Sequence, residues 1–382
     1  MLTNFVFLKL FKKYFISFMC IMISFISCSG FDGSFVTGNF IKVISARYSV
    51  CALTSNGDVY CWGANSHGQL GNADDKGNDI QHPKKIVLSI SIRDISASGD
   101  HICALSRSNY VYCWGYNGSH EVSSSDKDSV FRPVKVPLPG PSVSVKTGSY
   151  SSCSILKNKK IYCWGSNYYG ILDPKDSSSK FSYPRQILSN KSVLDFKIAL
   201  GYLCYIDYKG KVFCRGEGTD NASAYNFDNF IEIPFSSFAL KFFATSYLFC
   251  VVLKNKTVQC WDDYKLDSAN MSKKRIESST GTYANVFSFN SDPNAISGKG
   301  FCTLTDSKII CKNELSNDLS RYANRLDAIS SAVIVPDHDN DYACAVTKFD
   351  DLYCWRRAGL IPILPKNSVN GELVHLGGPK KK

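Results

Sequence analysis

The chain has 382 residues, a formal net charge of +11 and 16 cysteines. Its lysines and arginines form no clustered stripe, so the basic balance does not define a nucleic-acid binder, and no nucleic-acid partner is expected. Fourteen cysteines fall into local pairs, a usage that excludes a reducing compartment and points to an oxidising one.

At the N-terminus, Lys9, Lys12 and Lys13 precede an apolar run from Tyr14 to Ile26. That run is too short for a membrane span and suits the hydrophobic region of a secretory signal. It ends in Phe25-Ile26-Ser27-Cys28-Ser29, which resembles the lipobox of bacterial lipoproteins, with Phe25 where Leu is usual. The expectation is a signal over 1–27, then Cys28 lipidated as the mature N-terminus, or ordinary cleavage nearby and a soluble secreted protein. A tether follows over 28–40, then a repeat domain over 41–376 and a basic tail over 377–382.

The repeat domain is organised around the stretch Cys51 to Gly71, CALTSNGDVYCWGANSHGQLG. Two runs of strand formers flank Ser55-Asn56-Gly57, where Gly57 can take the left-handed conformation that a three-residue hairpin loop requires. Thr54 then faces Asp58, and counting outward sets Cys51 opposite Cys61. Opposed residues in an antiparallel pair lie roughly 4.5 to 5.5 Å apart at Cα, within disulfide range. The same spacing joins Cys103 to Cys113, Cys153 to Cys163, Cys204 to Cys214, Cys250 to Cys260 and Cys344 to Cys354. Between Cys302 and Cys311 one residue is missing; the loop shrinks to Asp306-Ser307 and the cysteines remain opposed. Metal-site cysteines sit closer in sequence, so seven disulfides within units are expected and no metal.

Seven units of about 51 residues have the period of a propeller or solenoid array. Each of the first three carries four strand candidates, the fourth placed after Pro83, Pro133 or Pro184. All five tryptophans, Trp62, Trp114, Trp164, Trp261 and Trp355, follow the second cysteine of a unit. A large ring at one place in every unit suits packing between neighbouring sheets.

The patterns His101-Ile102-Cys103-Ala104-Leu105, Tyr112-Cys113-Trp114-Gly115-Tyr116-Asn117 and Gly68-Gln69-Leu70-Gly71 resemble the regulator of chromosome condensation repeat, in a cysteine-paired version like that of a secreted bacterial branch. The resemblance implies an all-β fold, a seven-bladed β-propeller of four-stranded antiparallel blades. Eukaryotic members exchange nucleotide on a small GTPase and bind chromatin; a signal sequence and disulfides separate this chain from both partners. Gly371 to Gly378 looks like a further copy of the opening strand, so one end of the chain is expected to complete the ring by pairing with the other.

Little argues for catalysis. The six histidines share no metal-ligand spacing, and His101 is expected to make a structural hydrogen bond. The acidic run Asp337 to Asp341 lacks the glycine and the bidentate glutamate of a calcium loop. No catalytic residue, cofactor or metal is expected. If strands alternate up and down, the loops between strands one and two and between three and four share a face. Those loops carry Tyr48, His67, Tyr116, Asn117, Tyr150, Tyr168, Tyr169, Tyr202, Tyr247 and Tyr264, residue types favoured at interfaces. The expected function is an extracytoplasmic scaffold, lipid-tethered or free, that binds an unknown protein partner through that face. A carbohydrate-active or other hydrolytic propeller, and a surface structural or adhesive protein, are the alternatives.

Overall fold

The structure, a computed structural model, describes residues 36–378 except 76, 189–190, 200–201, 217–229, 234, 236, 245–247, 256–257, 263–275, 280–282, 289–300, 306–307, 313–328, 336–341 and 357–373. The signal region, Cys28, the acidic run at 337–341 and the end of the basic tail therefore lie outside the described residues. Among the described residues no helix is long and apolar enough to cross a membrane.

The chain is an all-β, seven-bladed propeller; in blades 1 to 6 the described strands form an antiparallel sheet and follow in chain order from inside to outside. Blade 1 comprises Phe40–Ala46, Ser49–Thr54, Val59–Gly63 and Ile80–Lys85. The innermost strands pack one on the next around the ring, and the last, Ile329–Val335, packs against the first, Phe40–Ala46. Five blades have four strands, and blade 6 has three among the described residues.

Blade 7 has five, because the ends of the chain meet there. Val374–Gly378 is its fourth strand, and Val36–Thr37 adds in parallel outside it, Val36 opposite Gly377. Both termini thus join one sheet, with the C-terminal segment inside the N-terminal one.

Hairpin register follows the cysteines. Cys51 faces Cys61, Cys103 faces Cys113, and in blade 6 Cys302 faces Cys311 with only two residues between the paired Thr305 and Lys308. Disulfides close Cys51–Cys61, Cys103–Cys113, Cys153–Cys163, Cys204–Cys214 and Cys344–Cys354, with Cα atoms 4.1 to 4.2 Å apart. In blade 5 the register sets Cys250 opposite Cys260, and the side chains of this pair and of Cys302 and Cys311 lie outside the description. Each closed link is worth roughly 2 to 4 kcal/mol against the unfolded chain.

The third loop residue is left-handed in blade after blade: Gly57, Asn109, Lys159, Gly210 and Asp350 all have positive φ. Its carbonyl then points to the next blade and accepts from the first residue of that blade's inner strand, Gly57 from Ile92 N (3.0 Å) and Asn109 from Ser142 N (2.9 Å). Phe40 N donates to Asp350 O at 3.1 Å, so blade 7 grips blade 1 by the same bond. A Cβ on Gly57 would lie 2.1 Å from Ser91 Oγ and 2.7 Å from Ile92 N. Gly57→Ala is accordingly expected to cost about 2 kcal/mol or more, beyond the ~1 kcal/mol of a left-handed L-residue, because blade 2 must shift; urea denaturation of the oxidised protein measures it.

The fourth strand departs from expectation. It runs through the prolines rather than after them, as Ile80–Lys85, Ser129–Lys135 and Lys180–Ile187. It is the outermost strand and lies beside a register shift, so a missing N–H breaks no ladder bond.

Candidate functional site

The face opposite the hairpin turns is built by loops that asparagine holds rigid. Asn65, Asn117 and Asn167 each follow a Trp-Gly pair by two residues, and their Oδ1 atoms accept from Leu70 N, Val122 N and Leu172 N, all at 3.0 Å. Asn117 Nδ2 also donates to the carbonyls of Ser125 (2.8 Å) and Lys127 (3.0 Å). In blades 2 and 3 the buried amide is satisfied at both its oxygen and its nitrogen, and so fixes the loop between the third and fourth strands.

The loops are locked across blades by the tryptophans. Trp62, Trp114 and Trp164 are fully buried. Trp114 packs on Leu53, Leu70 and Ile86 of blade 1 and donates to Gln69 O at 2.8 Å. Trp164 packs on Val122 and Val136 of blade 2 and donates to Glu121 O at 2.8 Å. In blade 4 the position is Arg215, whose guanidinium donates to Ile171 O (3.1 Å) and to Leu172 O. The arginine keeps the bond without the indole. Trp62 packs on Val346, Leu352 and Leu376 of blade 7, carrying the ladder across the closure.

On this support stands a row of rings from three successive blades. His67 meets Tyr116 edge-on at 5.0 Å between centroids, and Tyr116 meets Tyr150 at 6.4 Å. Such T-shaped pairs are held by their quadrupoles as well as by burial. Asp100 lies beside the row, its carboxylate taking Arg47 at 3.1 Å and Gln69 Nε2 at 3.2 Å. Burial raises the Tyr116 phenol above its ordinary range, and the charges of Glu121, Asp128 and Asp100 add to the shift. Glu121 stands where blade 1 has Gln69: each side-chain oxygen accepts from the backbone two residues earlier, Gln69 from His67 N (2.9 Å) and Glu121 from Ser119 N (2.7 Å). Burial pushes the Glu121 carboxyl up to about 7, partly offset by its hydrogen bonds to backbone N–H.

The expected residues divide as follows. His67, Tyr116 and Tyr150 come together in the row, Tyr150 being 46 % exposed. Tyr168 is 60 % exposed on a short 3-10 turn, Tyr168–Gly170, that also contains Tyr169; the ring of Tyr169 is not described. Tyr48 is half-buried under the guanidinium of Arg47, 5.3 Å from its ring. Asn117 is buried and spends its side chain on its own loop. Tyr202 opens the strand Tyr202–Asp207 and is buried in the blade, not on a loop. Tyr247 and Tyr264 lie outside the described residues. His101 is buried and bonds Ser152 Oγ at 2.9 Å, the structural bond expected of it. Asp100 and Glu121 went unread, though aligning the units would have set Asp100 beside Tyr48 and Tyr150, and Glu121 beside Gln69.

Disulfide-clamped blades with rigid loops on one face define a repeat β-propeller. The chain carries regulator of chromosome condensation repeats: the repeat's family models match residues 56–105, 92–121 and 143–171. It is similar to the human probable E3 ubiquitin-protein ligase HERC3, 31% identical over 100 residues, or 26% of this chain and 9% of that protein. The matched part thus spans under a tenth of that relative. Among solved structures, the CRINKLY WD40 ectodomain of the Arabidopsis thaliana receptor kinase ACR4 aligns at a TM-score of 0.52, 16% identical over 88% of this chain and 98% of that one. Prp20p of Saccharomyces cerevisiae aligns at 0.50, 18% identical over 58% of each chain. At such identities the structures speak for the fold alone.

Proposed function

We propose that the chain is an extracytoplasmic scaffold that binds a protein partner on the face of rings. The observation that carries this reading is the row His67–Tyr116–Tyr150, three rings from three blades on loops that cannot collapse. Large aromatic groups on a rigid support are the usual anchors of protein interfaces, since little entropy is lost in using them. Use of such propellers for protein binding has a parallel in Prp20p, described with its binding to Gsp1p and histones. Location outside the cytoplasm is supported by the disulfides and, in a relative of like fold, by the receptor ectodomain. Tethering through lipidated Cys28 belongs to the same reading; Cys28→Ala should release the protein from detergent extracts or leave an uncleaved precursor, read by mass spectrometry. A hydrolytic reading would need two carboxylates converging on a cleft, whereas Asp100 is tied to Arg47 and Gln69, and Glu121 is buried.

The test is a pull-down with the disulfide-intact domain, followed by Tyr116→Ala, Tyr150→Ala and Tyr168→Ala singly and together. Loss of a central anchor should weaken binding by about 2 kcal/mol, some thirtyfold, at unchanged melting temperature. A folded triple variant that binds like the parent places the partner elsewhere.

A further inference from the structure

Large apolar side chains that face solvent are ordinary when scattered, and here they are gathered. Ten are well exposed among the described residues; seven lie at the hairpin-turn end of the blades, Tyr150 and Tyr168 lie on the face of rings, and Tyr183 stands on an outer strand. Four of the seven are tips. Tyr110, Tyr208 and Phe349 sit on or beside the turns of blades 2, 4 and 7, and Val87 lies just past the fourth strand of blade 1. Val87 is 82 % exposed and Phe349 66 %. The other three form an inner rim. Each inner strand slips by one residue against the second strand near its start, as between Phe40 and Lys42, Ser142 and Ser144, and Ala239 and Lys241. Such a bulge turns the extra residue out of the ladder, here Ile41, Val143 and Leu240. Turns of two or three residues hold the tips at nearly one level.

Lysines that are dispersed along the sequence meet on the same face. Lys157 and Lys160 flank the turn of blade 3, Lys191 lies on the link to blade 4, and Lys209 and Lys254 sit on the turns of blades 4 and 5, all of them exposed. None of the five makes an ion pair among the described residues. Against them stand Asp207, which accepts from the backbone N–H of Lys209 and Lys211 at 2.9 Å, and Glu232, which pairs with Lys211 at 2.9 Å. Asp195 lies a layer deeper, on Lys146. The undescribed positions on these turns and links, 189–190, 234, 236 and 256–257, include no acid in the sequence. Tyr110 and Tyr208 also carry cations of their own, Lys135 at 3.6 Å and Lys159 at 4.3 Å from the ring centroids. The positive charge belongs to blades 3 to 5; at blade 7, Phe349 is followed by Asp350 and Asp351 and offers its ring alone.

We propose that the hairpin-turn face docks on an anionic lipid bilayer, with the tips Val87, Tyr110, Tyr208 and Phe349 in the headgroup layer and the lysines of blades 3 to 5 against the lipids' negative charges. Separate tips on four blades suit a medium that closes around each side chain, whereas a folded partner requires one contiguous apolar centre. Tyrosine with lysine beside it suits the water–lipid boundary, since ring and alkyl stem lie in the apolar layer while hydroxyl and ammonium stay wet. The course of the chain agrees. Val36 pairs with Gly377, and Gly377 with Leu352 beside the turn of blade 7, so the N-terminal segment joins the propeller at this end. Cys28 stands eight positions before Val36, a reach of at most about 28 Å. In the tethered reading of the proposed function, on which this last point alone rests, the anchor can enter the same bilayer and the face of rings is left to the partner.

Co-sedimentation with vesicles tests the assignment, using oxidised residues 29–382, which keep every described strand and lack Cys28, so that no acyl chain contributes. Binding should be at least about tenfold tighter to phosphatidylcholine vesicles containing about one-third phosphatidylglycerol than to phosphatidylcholine alone, and should fall with ionic strength. Replacing Lys157, Lys160, Lys191, Lys209 and Lys254 together by Gln should remove that preference. Val87→Ser with Phe349→Ser should weaken binding to the anionic vesicles about tenfold while the salt dependence stays. Thermal melts of both variants are matched to the parent. The Tyr116/Tyr150/Tyr168 triple variant should bind vesicles like the parent, which separates this face from the partner site. Equal binding to both vesicle types, no binding to either, or binding that neither set of substitutions changes overturns the proposal. Loss on the lysine set without loss on the apolar pair overturns it too, since a charged face that does not insert fits any soluble polyanion.

Discussion

Replacing Trp164 with alanine is expected to lower the unfolding free energy by about 4 kcal/mol, in the middle of the range for a buried aromatic truncation. The indole is fully buried and bridges two sheets, with Val122 and Val136 of the preceding blade on one side and its own hairpin on the other. Neighbouring blades cannot relax into the hole without breaking the loop network on Asn117. Trp164→Phe should cost less, about 1 to 2 kcal/mol, because the ring still fills most of the space and Glu121 O keeps a donor in Ser152 Oγ at 3.0 Å. Arg215 at the same place in blade 4 indicates that the donated bond is retained even where the aromatic volume is not. Denaturation midpoints under non-reducing conditions give both values. A Trp164→Ala protein within 1 kcal/mol of the parent would mean that the disulfides alone hold the blades, and that contacts between blades add little.

How much of this was legible depends on the range of the interaction that fixes each feature. The hairpin register could be counted because two local constraints agree: alternation along a strand has period two, and a disulfide requires its cysteines to face each other. The deletion in blade 6 keeps both, with Cys302 still opposite Cys311. The extra strand ending at Gly378 signalled that the ends of the chain meet, but which end lies outside the other had no local signal, since Val36 pairs with Gly377 from the far end of the chain. The bulges were hidden for another reason. Phe40-Ile41-Lys42-Val43, Ile92-Arg93-Asp94-Ile95 and Val193-Leu194-Asp195-Phe196 read as ordinary strand starts, and only the spacing of their buried first and fourth residues betrays the slip.

The tyrosines show how fine the margin is on the face of rings. Tyr150 stands one residue before its strand, Ser151–Leu156, and is exposed; Tyr202 is the first residue of Tyr202–Asp207 and is buried. A one-residue step moves a side chain to the other side of a sheet, and composition alone does not say where a strand begins. Asn117 was placed on the right loop, but an amide beside a ring-bearing face reads the same whether it greets a partner or its own backbone.

Glu121→Gln is expected to stabilise the protein by about 3 kcal/mol at pH 8 and by nothing measurable at pH 4. The folded carboxyl titrates near 7 against an ordinary value of 4.5, because burial opposes its ionisation. Between those values the unfolded chain has released its proton and the folded chain has not, so stability falls as pH rises through the window, at about 1.36 kcal/mol per pH unit. Below 4.5 both states are protonated and the carboxylic acid behaves like the amide that blade 1 already has in Gln69. His101 acts in the opposite sense. Burial lowers it to about 3 from 6.5, so its contribution is intact above 6.5 and is lost as pH falls toward 3, by up to about 5 kcal/mol. The two opposing slopes should leave the parent's stability nearly level between about pH 5 and 6.5. In Glu121→Gln only the histidine slope remains, and stability should rise with pH through that interval before reaching a plateau. Urea denaturation of both proteins at pH 4, 6 and 8 separates the contributions. A difference between parent and variant that is the same at all three values would show that Glu121 ionises normally in the folded protein and that its burial carries no proton linkage.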